Sequence, residues 1–465
     1  MSELDAAIRT LRDPATIRAR CAAIAAFAGA GRSEHFTLDR SKLDTVAQRI
    51  AALTRSRFPD LKIPYHSRWR HFEAGGVDRK GELDAKLGGR SHIAVARARI
   101  DLTLVSVLLD AGAGPDWRYR EAQSGQSFGR SEGLGVASFR AFVAGRFSSD
   151  AGDPYRVDAA ALLKLDAKAL AEVFQVRADN PLVGLDGRAA LMRRLGEALR
   201  AQPQTFTSIG QPGHLFDALT HHPHAPRLHH HHPQPAPLHH HVQASRILGA
   251  LLDAFSGIWP SGQVFEGVPV GDAWPHPAAG GQGPSAGWVP FHKLSQWLSY
   301  SLLEPFEWAG VQVDGLDALT GLPEYRNGGL LLDAGVIVPR DAAFAARPRL
   351  PSEPWVIEWR ALTVALLDEL APRVRGESLR SMSIPLSSTH DAFQPSSHCL
   401  DRQQGRQGVH ARLPRGHPRA HAPPRGARAP REPAHTARGA LRGALLQGRG
   451  RAPARRGGPA GARRR

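Results

Sequence analysis

Cysteine is nearly missing from this 465-residue chain: Cys21 and Cys399 are too few for a disulfide framework. A reducing, cytoplasmic setting is the simple inference. No run of about eighteen apolar residues is present, which excludes a membrane-spanning helix. The start, MSELDAAIRTLRDP, places acids where a secretory signal needs basic and then apolar residues. Strand-like alternation is scarce too. These absences predict an intracellular, mainly α protein with minor β and no membrane partner.

Positive charge is abundant: 60 Lys and Arg stand against 43 Asp and Glu, a formal net charge of +17. At face value that suggests nucleic acid, but its position changes the reading. From Glu377 onward there are 18 arginines and four acids, Glu377, Asp391, Asp401 and Glu432, so about +14 of the charge lies there. The chain divides into a single helical domain over residues 1–375 and an Arg/Pro/Gly-rich tail over 376–465 that can bury too little to fold. From Leu400 the tail has no Phe, Tyr, Trp, Ile, Met or Lys, whereas the domain uses seven lysines. An RNA-binding arm, a solubilising tail and a shifted reading frame in a GC-rich gene stay open, the last accounting best for the abrupt change. Nucleic-acid affinity from such a tail would be salt-sensitive and non-specific.

Within the domain, PATIRARCAAIAAF has Asp13 and Pro14 as start signals, and SKLDTVAQRIAALTRSRF has Ser41 as N-cap. SHIAVARARIDLTLVSVLLDAG predicts a helix ended by Gly112, Gly114 and Pro115. GLGVASFRAFVAG, GRAALMRRLGEALRA, SRILGALLDAFSGIW and EWRALTVALLDELAPRV continue the helical spacing. Residues 221–241, with ten histidines and five prolines, read as a low-complexity loop. Clustered imidazoles can hold zinc or nickel, yet the run lacks the fixed spacing and the Cys or carboxylate company of a built site. No metal or cofactor is therefore expected.

Five of nine tryptophans (Trp259, Trp274, Trp288, Trp297, Trp308) fall within fifty residues, which suits either a core or the walls of a ligand pocket. Lys293 and Gln296, three apart in a helical stretch, share one face. Thr320 can cap a second helix with Pro323 in its first turn and Glu324 after it, where the helix dipole favours a carboxylate. A cation, an amide and a carboxylate would then meet, with Arg326 nearby. Alternatively, Lys293 and Glu324 form a structural ion pair and Gln296 caps a backbone group. A second patch, IPYHSRWRHFEAGG, sets His66, Arg68, Trp69, Arg70, His71 and Phe72 between helices. It could grip a phosphate through an arginine fork or be a solvated basic loop.

IPYHSRWRHFEAGGVDR, DLTLVSVLLDAGAGPDWRYRE, RSEGLGVASFRAF, ADNPLVGLDGRAALMRRLG, GWVPFHKLSQWLSYSLLEPFEWAGV and LTGLPEYRNGGLLLDAGV resemble the uracil-catabolism protein 4 family of fungi and bacteria over roughly residues 10–375. The chain is more distantly similar to the queuosine-nucleotide N-glycosylases, helical proteins of DNA-glycosylase-like architecture. Their K-x-x-Q helix, acidic-Tyr-Arg motif and E-x-R-A helix correspond here to Lys293 and Gln296, to Glu324, Tyr325 and Arg326, and to Glu358, Arg360 and Ala361. Those proteins have Asp where this chain has Glu324.

The resemblance implies a small nucleoside- or nucleotide-derived substrate in uracil degradation, with hydrolysis of an N-ribosidic bond of ribosylurea or its phosphate. Glu324 and Lys293 would be catalytic. Gln296, Tyr325, Arg326, Arg68, Trp288 and Trp308 would bind substrate, Arg68 and Arg326 holding a 5′-phosphate. A non-catalytic pyrimidine-nucleotide-binding or scaffold protein is the alternative, and metal-dependent ring opening a third class. No specific nucleic-acid partner is implied, and the oligomeric state is not fixed.

Overall fold

The computed structural model describes residues 2–220, 241–259, 262–344 and 346–380. Most of the histidine-rich loop and the tail beyond Arg380 lie outside the described residues. The rest is mainly α, as the spacing predicts.

The chain opens with α1 (Glu3–Arg12) and α2 (Pro14–Gly29). Asp13 caps α2 by accepting the Ala15 N–H, and Pro14 fills a position that needs no donor. Next comes α3 (Leu43–Arg57), which begins later than expected. Asp39 accepts the Ser41 N–H at 3.1 Å and a 3-10 turn, Arg40–Lys42, intervenes, so Ser41 is not the N-cap. The short α4 (Trp69–Phe72) and α5 (Arg79–Lys86) lead into α6 (His92–Leu108), capped by Ser91. From Ala98 to Leu108 every residue of α6 is buried, the mark of a helix enclosed on all sides. Its leucines and valines each contribute about 1.5–3 kcal/mol by burial.

Further along are α7 (Arg130–Val143), α8 (Ala159–Lys164), α9 (Ala167–Val173), α10 (Leu185–Arg200), α11 (Pro203–Phe206) and α12 (Leu215–Thr220). They are followed by α13 (Ala244–Phe255), α14 (Lys293–Glu307), α15 (Tyr325–Asp333) and α16 (Pro354–Arg380). The last runs five residues beyond the boundary expected at 375.

The minor β component is a set of two-stranded ribbons. Phe36–Leu38 pairs antiparallel with Ile337–Pro339, and Val242 lies opposite Val313 in a parallel pair. Ala273–Pro275 pairs with Trp288–Pro290 in a hairpin that delivers the chain to α14.

Three apolar clusters hold these pieces. The largest surrounds α6 and includes residues of α7, α13 and α14. A second joins the end of α2 to α3, α15 and α16, and a third sets α1 against Phe265, Val270 and Ala273. The N-terminus of α14 therefore stands where elements of all three come together.

Candidate functional site

The approach to α14 is sharply bent. His292 adopts φ 45°, a left-handed conformation that costs a non-glycine residue about 1–2 kcal/mol. Its Nε2–H donates to the Leu11 carbonyl at 2.7 Å, which fixes the tautomer, and burial keeps the imidazole below its usual pKa. The turn points the Lys293 N–H, one of the orphan donors of α14, at Asp272 Oδ2 at 3.1 Å.

Asp272 is the residue that sequence reasoning missed. Besides that N–H it receives Trp274 Nε1 at 2.7 Å and both terminal nitrogens of Arg360, at 2.9 and 2.6 Å. Burial would raise its pKa, but the Arg360 charge and these hydrogen bonds outweigh it and hold the carboxyl well below the usual range. Arg360 in turn lies 4.2 Å over the Phe291 ring. The available signal was indirect: Arg360 stood out through its motif and needed a carboxylate.

On this base Lys293 Nζ reaches to 3.6 Å from Glu324 Oε2. That is an ion pair, too long for a hydrogen bond. Glu324 is the N-cap residue of α15, with extended backbone and no capping bond from its side chain. The expected cap at Thr320 is corrected: α15 starts at Tyr325, after Pro323, and Thr320 serves Gln296 instead. Gln296 is fully buried; its Oε1 accepts from Thr320 N at 3.2 Å and Oγ1 at 3.0 Å, and its Nε2 donates to Phe291 O at 3.1 Å. It braces the two loops, so the backbone-capping alternative describes its contacts.

The other expected ligand contacts divide. Tyr325 is exposed and its hydroxyl accepts from Arg326 Nε at 3.2 Å, so these two remain beside Glu324 at the surface. Trp288 is half-buried in the strand entering α14 and packs edge-on against Phe265. Trp308 is at the far end of α14, about 22 Å away at 1.5 Å per residue. There it meets Trp69, Lys80 and Arg99, and it cannot wall the same site as Lys293.

Arg68 is likewise corrected: it is fully buried and donates to Ser106 Oγ, Asp110 and the Ser131 carbonyl, so its fork is not offered to a phosphate. The whole patch packs along α14, with Arg68 N donating to Ser301 Oγ and Arg70 to Glu304. It is no solvated loop, because its aromatic rings bury it.

On α16, Glu358 is buried between Ser33 Oγ, which donates to it, and His276 Nε2 at 3.8 Å. These contacts fasten the long hairpin loop and the end of α2 to α16 beside the site. Among the described residues no group of His, Cys, Asp and Glu could hold a metal, and no helix is long and apolar enough to cross a membrane.

A family model described as "Protein of unknown function (DUF1688)" matches residues 10–390. "Uracil catabolism protein 4" of Lachancea kluyveri is 37% identical over 371 residues, covering 74% of this chain and 82% of that protein. "Protein urg3" of Schizosaccharomyces pombe is 38% identical over 358 residues, covering 76% and 82%.

Proposed function

The chain belongs to the DUF1688 family of proteins of unknown function, and from that premise we propose that it acts in uracil degradation by hydrolysing the N-ribosidic bond of a ring-opened pyrimidine, ribosylurea or its phosphate. The name of one relative, "Uracil catabolism protein 4", supports the pathway. The observation that carries the chemistry is the Lys293–Glu324 pair, formed where the N-termini of two helices converge.

Both helix dipoles present their positive ends there, which favours an ionised carboxylate at Glu324. Breaking an N-ribosidic bond builds positive charge on C1′ and O4′. Glu324 would stabilise that charge and take a proton from the attacking water, while Lys293 would bind the departing ureido group or a ribose hydroxyl. The C1′–N bond breaks as a C1′–O bond to the water forms. The proton that Glu324 takes from that water passes to the departing ureido nitrogen, so that urea leaves neutral and Glu324 returns to its carboxylate form. Tyr325, Arg326 and Trp288 would contact the substrate at the surface. Asp272 and Arg360 are positioning residues that hold the start of α14. The helical glycosylase-like architecture belongs to the same proposal.

A binding protein without turnover is the second reading, favoured by Lys293 and Glu324 already neutralising each other. The test is to incubate the chain with uridine monophosphate, uridine, ribosylurea and ribosylurea phosphate, and to measure urea or ribose phosphate released. Glu324→Gln is expected to lower turnover by about 10²–10³ while the substrate still binds. Turnover unchanged in that variant refutes the assignment, and binding without turnover by the unaltered chain establishes the second reading.

A further inference from the structure

A cleft of about 460 Å³ lies away from the Lys293–Glu324 pair and shares no residue with it. One wall is the edge of the hairpin that pairs Tyr119 and Arg120 with Phe128 and Ser127; the other is the loop after α9. Three exposed arginines, Arg118, Arg120 and Arg177, line it together with Asp116 and Asp179.

Two side-chain amides clamp the walls. Asn180 accepts the Arg118 N–H and donates to the carbonyls of Arg118 and Gln175, each at 2.8 Å. Gln175 accepts the Arg120 N–H at 2.9 Å and donates to the Arg120 carbonyl at 2.8 Å, from a backbone held at φ 54°. A left-handed glutamine is a local cost, and strain of this kind gathers at sites where geometry matters.

The arginines differ in commitment. Arg118 is steadied by the carbonyls of Pro115 and Trp117, at 2.8 and 2.7 Å, which leave its charge unneutralised. Arg177 is paired with Asp179 at 3.1 Å. The Arg120 guanidinium finds no partner among the described residues. Two cations on a rigid frame, with fork geometry suited to phosphate oxygens, favour a phosphoryl group. No aromatic ring among the described residues lines the cleft, so it offers no surface for stacking a base. Its carboxylates instead suit hydroxyl donors.

We propose that this cleft binds a phosphorylated sugar, with Arg118 and Arg120 on the phosphate and Asp116 and Asp179 accepting from hydroxyls. The assignment does not rest on the hydrolase reading.

The arginine-rich tail would also attract phosphate, so the test needs a local readout. Hydrogen–deuterium exchange of the full chain is followed over residues 116–128 and 174–180 during titration with ribose 5-phosphate, inorganic phosphate or ribose. Ribose 5-phosphate is expected to protect both segments, with half-saturation well below that of inorganic phosphate, and ribose to protect neither. Arg120→Gln should raise the half-saturation about tenfold, as loss of a charged hydrogen bond implies, with an unchanged melting temperature because the side chain is exposed. No protection of these segments, or protection that survives both Arg120→Gln and Arg118→Gln, overturns the proposal. Equal potency of inorganic phosphate, or protection by ribose alone, overturns the sugar-phosphate assignment.

Discussion

Glu121 and Asp101, both sealed from solvent, answer to pH in opposite directions. Burial raises the Glu121 pKa, but hydrogen bonds from Arg79 at 2.5 Å, Ser124 at 2.6 Å and Arg140 at 2.6 Å outweigh it and hold the carboxyl at about 2. Its contribution to stability is present above its unfolded value of 4.5 and is lost as pH falls through about 2. Glu121→Gln leaves the buried Arg79 guanidinium without its anion, while Arg140 keeps Glu82. It should cost about 3–5 kcal/mol in urea denaturation at pH 7 and weaken the acid limb of the stability curve.

Asp101 has three N–H donors, from Gln211, Val157 and Gly213, yet burial wins and raises its carboxyl to about 8. The folded state therefore favours the neutral acid. That stability is fully present below the unfolded value of 3.8 and is lost as pH rises through about 8. Asp101→Asn cannot ionise. Its unfolding free energy should start lower, because an amide N–H₂ now faces donors, but should no longer decline between pH 5 and 8. Urea melts across that range check both points.

At the scale of elements, α15 rests on α16 through a glycine. A Cβ at Gly328 would lie 2.8 Å from two ring atoms of Trp359 and 2.9 Å from Thr363 Oγ1, whereas a Cβ at neighbouring Gly329 would meet nothing. Gly328→Ala should push α15 outward at a cost of about 1–3 kcal/mol. Because Glu324 is one turn earlier, substrate turnover should fall by more than the stability loss explains, while Gly329→Ala leaves both nearly unchanged. Paired thermal melts and urea-release assays separate the two outcomes. The adjacent glycines read alike in the sequence, since only the docking of α16 distinguishes them. Helix starts show the same limit. Asp13 announces α2 because the cap is adjacent to the helix it serves, and the structure shows Ser91 capping α6 in the same way. Ser41 and Thr320 mislead because a 3-10 turn or a tertiary hydrogen bond claims the side chain first.

Across the whole molecule, the part of the site carried by a local hairpin was legible: Lys293 and Glu324, 31 positions apart, do meet. Asp272 and Arg360, 88 apart, meet through packing between cores that no spacing announces. Arg68 was misplaced for a related reason, since burial turned an apparent ligand fork into a brace. Charge follows a different rule, being additive along the chain whatever the fold. Residues 391–465 carry 17 arginines against three acids, so they hold 14 of the 17 formal positive charges. They also lie beyond the span matched by the family model, and the three apolar clusters are built from residues up to Val374. Truncation after residue 390 should therefore leave the melting temperature and any urea release unchanged. Retention on a heparin or DNA column should weaken sharply, and the dependence of retention on salt should flatten as fewer counterions are displaced. Retention that persists would place the polyanion affinity within the domain, where exposed arginines such as Arg118 and Arg120 would be the first to substitute.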